Sequence, residues 1–276
     1  MTKKNKIVYM LVFLVGLALL LYPVISGIWN GYVNKQLETE YVRVTEGMPQ
    51  EEIDRMWRHA EDYNERLHGN YVRDAFTGDK DIAKEYITVL NPTGNGVMGI
   101  LRIPKLKLEL PITHGCRPED LKTSTGHVEG TTVPTGLPDT EPVMAAHRGM
   151  ADQKLFTDLD ALKKGDYFCL DILDKQFWYK VDRISTVLPE ETEEVQIVPG
   201  EEHAALLTCT PFAVNSHRLI VRGERCEKPS DDVIREAEKT GILTIQGKLL
   251  IAGLVVFAAV MIIQTILLKK KKGDRA

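Results

Sequence analysis

The chain has 276 residues, enough for one or two folded domains. Apolar residues make up 43% and charged residues 27%, a balance that excludes wholesale disorder. The formal net charge of -4 hides an uneven spread, with basic ends and an acidic middle.

From Ile7 to Ile25 no residue is charged, and Lys3, Lys4 and Lys6 stand before the run. That length crosses the hydrocarbon core of a bilayer. The run continues into Tyr22-Pro23-Val24-Ile25-Ser26-Gly27, a poor match to a small-x-small cleavage site. It therefore reads as an uncleaved anchor and not as a removed signal. A second run, Leu249 to Leu268, has Gln264 as its one strongly polar residue, and Lys269 to Lys272 follow it. A buried core helix rarely stays apolar on every face for so long, so this is read as a second transmembrane helix. The positive-inside rule puts both termini in the cytoplasm and everything between the spans outside the cell. The terminal segments sum to plus 8 and residues 29–247 to minus 12. An acidic domain of this kind is a poor partner for nucleic acid.

After the first span, residues 30–68 look helical, with Ile53, Trp57, Ala60 and Leu67 near one face of an otherwise charged stretch. A loop from His68 to Asp79 follows, then a short helix over 81–90, and Asn91-Pro92-Thr93-Gly94-Asn95-Gly96 breaks the chain. Beyond Gly96 the texture changes to short β-like runs. Strands are expected near Met98–Ile103, Leu108–Ile112, Val143–His147, Tyr167–Ile172, Phe177–Leu188, Ala204–Cys209 and Arg218–Gly223. A helix is expected around Gln153–Leu162, ended by Lys163-Lys164-Gly165. Many short strands with turn signals point to a mainly β domain, a closed barrel or a sandwich. The organisation reads as a cytoplasmic start and span (1–28), an extracellular helical region (29–96), a β domain (97–226), a charged linker (227–248), a second span (249–268) and a basic tail (269–276).

The four cysteines, Cys116, Cys169, Cys209 and Cys226, form no C-x-x-C pair and no zinc-site spacing with histidine. Disulfides are permitted outside the cell but not required. Three segments carry candidate chemistry: Pro142-Val143-Met144-Ala145-Ala146-His147-Arg148-Gly149, Ala205-Leu206-Leu207-Thr208-Cys209-Thr210-Pro211 and Asn215-Ser216-His217-Arg218-Leu219-Ile220-Val221-Arg222-Gly223. A thiol attacks a carbonyl well once it is a thiolate, which a nearby imidazole or guanidinium favours. Acyl transfer also needs a donor for the developing oxyanion. Cys209 ends an apolar run and meets Pro211, which cannot continue a central strand, so the thiol should lie at a rim. Spacing alone does not choose the base: seven histidines compete, and His217 is nearer to Cys209 in sequence than His147.

These segments resemble the sortases, the cysteine transpeptidases of Gram-positive cell surfaces. The sortase pattern T-L-x-T-C is matched by Ala205-Leu206-Leu207-Thr208-Cys209, with Ala in place of the first Thr. An A-H-R-G-like segment is matched by Ala146 to Gly149, and an H-R-L-x-V-R-G segment by His217 to Gly223. The resemblance covers residues 97–226 best and is nearest to class C, the pilus-assembling type. It rests there on Thr208 to Pro211 with Asn215 to Arg218, on Lys154-Leu155-Phe156-Thr157-Asp158-Leu159 and on the second span. It implies a sortase-type closed β-barrel with short helices and an N-terminal helical and lid segment, flanked by two transmembrane helices. It also implies Cys209 as nucleophile, His147 as acid–base partner and Arg218 as oxyanion donor.

The implied substrate is an L-P-x-T-G-like sorting signal and the implied acceptor a lysine amine of a pilin, with no cofactor or metal. A class C lid carries Asp-Pro-Phe or Asp-Pro-Trp, and the equivalent is Asp74-Ala75-Phe76, with Ala where the family has Pro. Proline fixes its φ angle, so alanine is expected to leave this turn looser. The alternatives are a housekeeping sortase, which joins surface proteins to the cell wall, and a non-catalytic membrane-tethered scaffold.

Overall fold

The structure, a computed structural model, describes residues 3–67, 74–76, 83–118, 120–150, 153–191 and 195–239, together with Gly253, Val255, Phe257 and Ile262. Two units form, one of Met1–Ser26 with Leu243–Ala276 and one of Gly27–Ile242. In the first, the ring centroids of Phe13 and Phe257 lie 5.5 Å apart. Of the expected second span only those four positions are described, each helical, and the rest lies outside the described residues.

The apolar N-terminal run belongs to helix α1, Lys3–Glu46. It is long and apolar enough to cross a membrane, with a mean hydropathy of 2.5 in a window that the protein leaves unburied. The single helical segment expected over 30–68 is two helices. Pro49 cannot donate to a preceding turn, so α1 ends and Pro49 caps α2, Gln50–Arg66. Glu51 and Glu52 in the first turn of α2 and Arg66 in its last suit the helix dipole.

Beyond Gly96 the chain forms eight strands: β1 Val97–Ile103, β2 Leu108–His114, β3 Thr125–His127, β4 Val143–Ala145, β5 Tyr167–Ile172, β6 Lys175–Val187, β7 His203–Thr210 and β8 His217–Cys226. They close into a barrel in the order β1-β2-β3-β4-β7-β8-β6-β5. The pairs β2–β3 and β4–β7 are parallel and the others antiparallel. β3 was not expected, because Thr-Gly-His carries no apolar alternation. The strand expected over Val143–His147 stops at Ala145, as β4, which frees His147 from the ladder.

The expected helix at 153–162 is instead a buried loop ending in one 3-10 turn, Leu159–Ala161. Leu155 takes a positive φ of 35°, which a helix does not permit. Its apolar side chains fill the core, where Leu155, Phe156, Leu159 and Leu162 are buried. The short helix expected over 81–90 reduces to the 3-10 turn Tyr86–Thr88, with residues 81 and 82 outside the described residues.

β1 is buried almost without interruption because both of its faces are covered. Leu101 and Ile103 join the barrel core, while Val97 and Ile100 pack against Tyr41 of α1. The Tyr41 hydroxyl donates to the Met98 carbonyl at 3.0 Å and accepts from the Leu173 amide at 2.8 Å. Nearer the start of α1, the Asn34 amide donates to the Thr123 carbonyl at 2.6 Å. α2 packs Ile53, Trp57 and Ala60 on the core. Asn64 exchanges two bonds with Val133, donating to its carbonyl at 2.9 Å and accepting from its amide at 2.8 Å.

Candidate functional site

β7 and β8 set the first relation in the site. Cys209 and Arg218 are direct register partners in this antiparallel pair, so their side chains leave on the same face. Val187 of β6 pairs with Arg218 from the other side and extends the same row. His147 lies two residues beyond β4, which runs parallel to β7. The Ala146 amide donates to the Leu207 carbonyl at 3.2 Å, and the Thr208 hydroxyl donates to the Ala146 carbonyl at 2.8 Å. The segment bearing His147 is thereby held beside the strand bearing Cys209.

The Asp74-Ala75-Phe76 turn sits over this row. Arg218 donates from Nε to Asp74 Oδ1 and from Nη2 to Asp74 Oδ2, both at 2.8 Å, a two-pronged ion pair. Its Nη1 donates to the Asn215 and His217 carbonyls at 3.1 Å. The Phe76 ring lies 5.6 Å from the His147 ring and 5.2 Å from the Arg218 guanidinium carbon. Ala75 is buried with Val128, Val143, Leu207 and Ile220. Only a small cavity of about 20 Å³ is left beneath the turn, lined by Asp74, Ala75, Val187, Leu207, Arg218 and Ile220 among others. Alanine in place of proline is thus compatible with a seated turn.

Burial pushes the Cys209 thiol above its ordinary value, with Arg218 lowering it and Asp74 raising it. Burial lowers His147. Both shifts favour the uncharged forms, thiol and neutral imidazole. With Asp74 in place, the Arg218 fork faces a carboxylate and not a substrate carbonyl.

Four of the other described histidines have partners elsewhere. His217 meets Ser216 Oγ through Nδ1 at 2.8 Å on an exposed edge. His114 lies between the Gly96 and Val89 carbonyls, and His127 between Tyr86 Oη and the Thr132 carbonyl. His203 Nε2 faces Glu201 at 3.3 Å. The four cysteines are free. Cys169 and Cys226 flank Trp178 from opposite sides, two strand spacings apart. That is about 10 Å, beyond the reach of a disulfide. Arg148 stands in the A-H-R-G-like segment, where local pattern assigns it no task. Its guanidinium reaches Thr210, the residue after Cys209, at 3.2 Å.

A sortase-domain profile matches residues 101–226. The sortase C of Streptococcus pneumoniae is 38% identical, with a TM-score of 0.66 over 70% of this chain and 97% of that one. The chain belongs to the sortase family. Sortase C-1 of Actinomyces oris is 36% identical, with a TM-score of 0.62 over 64% of this chain and 99% of that one. Among curated relatives, sortase D of Bacillus subtilis is 30% identical over 148 residues, 52% of this chain and 71% of the relative. The solved relatives place this sortase with class C, and the enzyme is a cysteine transpeptidase.

Proposed function

We propose that this sortase joins the threonine carboxyl of an L-P-x-T-G-like signal to a lysine amine of a pilin subunit. The observation that carries the reading is the Cys209–Arg218 register pair with His147 alongside, beneath a turn that ties Arg218. In this reading the turn leaves first and frees the Arg218 fork. Cys209 Sγ gives its proton to His147 and attacks the threonine carbonyl carbon, and Arg218 donates to the oxyanion. His147 protonates the departing glycine amine as the C–N bond breaks, leaving a thioester. The lysine amine attacks the thioester, His147 takes its proton, and the amide forms as the thiol is restored. Once the turn has left, the apolar walls beneath it, Val128, Val187, Leu207 and Ile220 among them, suit the apolar part of the signal.

The same reading gives a two-pass protein with both termini in the cytoplasm, the catalytic barrel of residues 97–226 outside, and residues 29–96 as its helical and lid region. The test uses the full chain in detergent. With an L-P-x-T-G peptide, mass spectrometry should find a thioacyl adduct on Cys209, and Cys209→Ala should neither form it nor cleave the peptide. Cleavage by Cys209→Ala at the wild-type rate ends the assignment. With candidate pilins, laddered polymers are expected. Transfer only to a cell-wall crossbridge amine points to the housekeeping role. An adduct-free, alkylation-resistant Cys209 points to the scaffold.

A further inference from the structure

Arg148 is buried where an arginine is costly, with a side chain only 5% exposed. Its Nη1 donates to the Thr210 hydroxyl at 3.2 Å, and its Nη2 pairs with Asp160. Its Nε is buried and finds no hydrogen-bond partner among the described residues. A buried donor left unmet costs stability, so packing and folding alone do not account for this residue. Its two partners lie on separate segments. Thr210 follows Cys209 in β7, and consecutive side chains on a strand leave on opposite faces, so this contact lies behind the thiol. Asp160 belongs to the 3-10 turn that ends the loop standing where a helix was expected, one residue past the Lys154–Leu159 motif, which the reaction itself does not use.

That loop closes on the His147 segment at two further points. The Phe156 amide donates to the His147 carbonyl at 3.1 Å, and the Gly149 amide donates to Thr157 Oγ1 at 3.1 Å. Gly149 has a φ of 80°, and the Phe212 ring covers it so closely that a Cβ there would meet the ring at 2.6 Å. The segment on either side of His147 is thus clamped between the buried loop and the residues just after Cys209, and Arg148 joins all three.

We propose that Arg148 is a positioning residue that sets the separation of His147 from Cys209, by tying the His147 segment to Thr210 and to Asp160. The proposal rests on the reading of Cys209 and His147 as the reacting pair. A displacement of about 1 Å in such a pair costs on the order of 100-fold in rate.

The test measures kcat, KM and the pH dependence of kcat for L-P-x-T-G peptide cleavage by the full chain in detergent, with thermal unfolding of each variant. Arg148→Gln should lower kcat by about 100-fold with KM within about twofold of wild type. Thr210→Val and Asp160→Ala each remove one anchor, and Asp160 is 54% exposed, so that variant should fold. Each should lower kcat by about tenfold, as loss of one charge-assisted hydrogen bond predicts. The acid limb of the pH profile should shift in all three, which a purely structural defect leaves in place. Wild-type kcat and pH profile in both Thr210→Val and Asp160→Ala overturn the proposal, as does a loss that only follows the unfolded fraction. Cys209→Ala separates the two readings. If it still cleaves, the reacting pair itself is wrong; if it is dead while the anchor variants match wild type, only the positioning role falls.

Discussion

Every nitrogen of the Arg218 guanidinium donates, two of them to Asp74 and the third to two backbone carbonyls. Lysine keeps the charge but has no planar fork. Arg218→Lys should therefore reduce peptide turnover by about 100-fold, the usual loss on removing an oxyanion donor, while leaving Cys209 open to alkylation. Cys209 gives a second prediction at this scale. Burial and Asp74 both favour its neutral form, and Arg218 opposes them. Asp74→Asn deletes a negative charge beside the thiol and releases the Arg218 fork. Both changes favour the thiolate, so the pH midpoint for alkylation by iodoacetamide should fall below that of wild type. A midpoint that stays or rises contradicts the electrostatic account. Cys209, His147 and Arg218 could be picked out in the sequence only through their ordered motifs. Arg148 stood in one of those motifs, yet its task depends on Asp160 and Thr210, which no local pattern links to it.

At the scale of elements, the Asp74–Phe76 turn and the two helices make different demands. Phe76 contributes one ring against His147 and the Arg218 cation. A cation–π contact to a buried guanidinium is worth about 1–2 kcal/mol, so Phe76→Ala should raise turnover about five- to thirtyfold if seating of the turn limits entry. Ala75→Pro should lower it by stiffening the seated turn, and steady-state peptide cleavage checks both. Tyr41 offers a stability prediction. Tyr41→Phe leaves the Leu173 amide and the Met98 carbonyl without their buried partner, at a cost of about 1–3 kcal/mol, readable in denaturant unfolding. Seven strands were legible from short apolar runs bounded by turn residues. β3 was not, because three polar or small residues pair there only when β2 and β4 lie on either side. The helix expected at 153–162 failed because its apolar spacing serves a loop folded into the core, with Leu155 at positive φ.

At the scale of the whole molecule, the basic clusters at the two ends predict that tags on the N- and C-termini lie on one side of the membrane. Protease digestion of sealed vesicles should spare or remove both together, and opposite fates exclude the two-pass arrangement. The β domain was legible in outline, since its boundaries fall at a glycine-rich break and a charged stretch. Closure of the barrel was legible only through the family resemblance, because periodicity alone does not separate a barrel from a sandwich.

The register bond between Cys209 and Arg218 has one more consequence. Their spacing is fixed by the ladder between β7 and β8, so the connection at residues 211–216 carries no duty in holding the two apart. Its exposed Phe212 and Val214 stand beside the site. Evolution can therefore rewrite outward positions such as Val214 and change what the enzyme greets, while Phe212 on Gly149 and the Asn215 carbonyl on Arg218 stay in place.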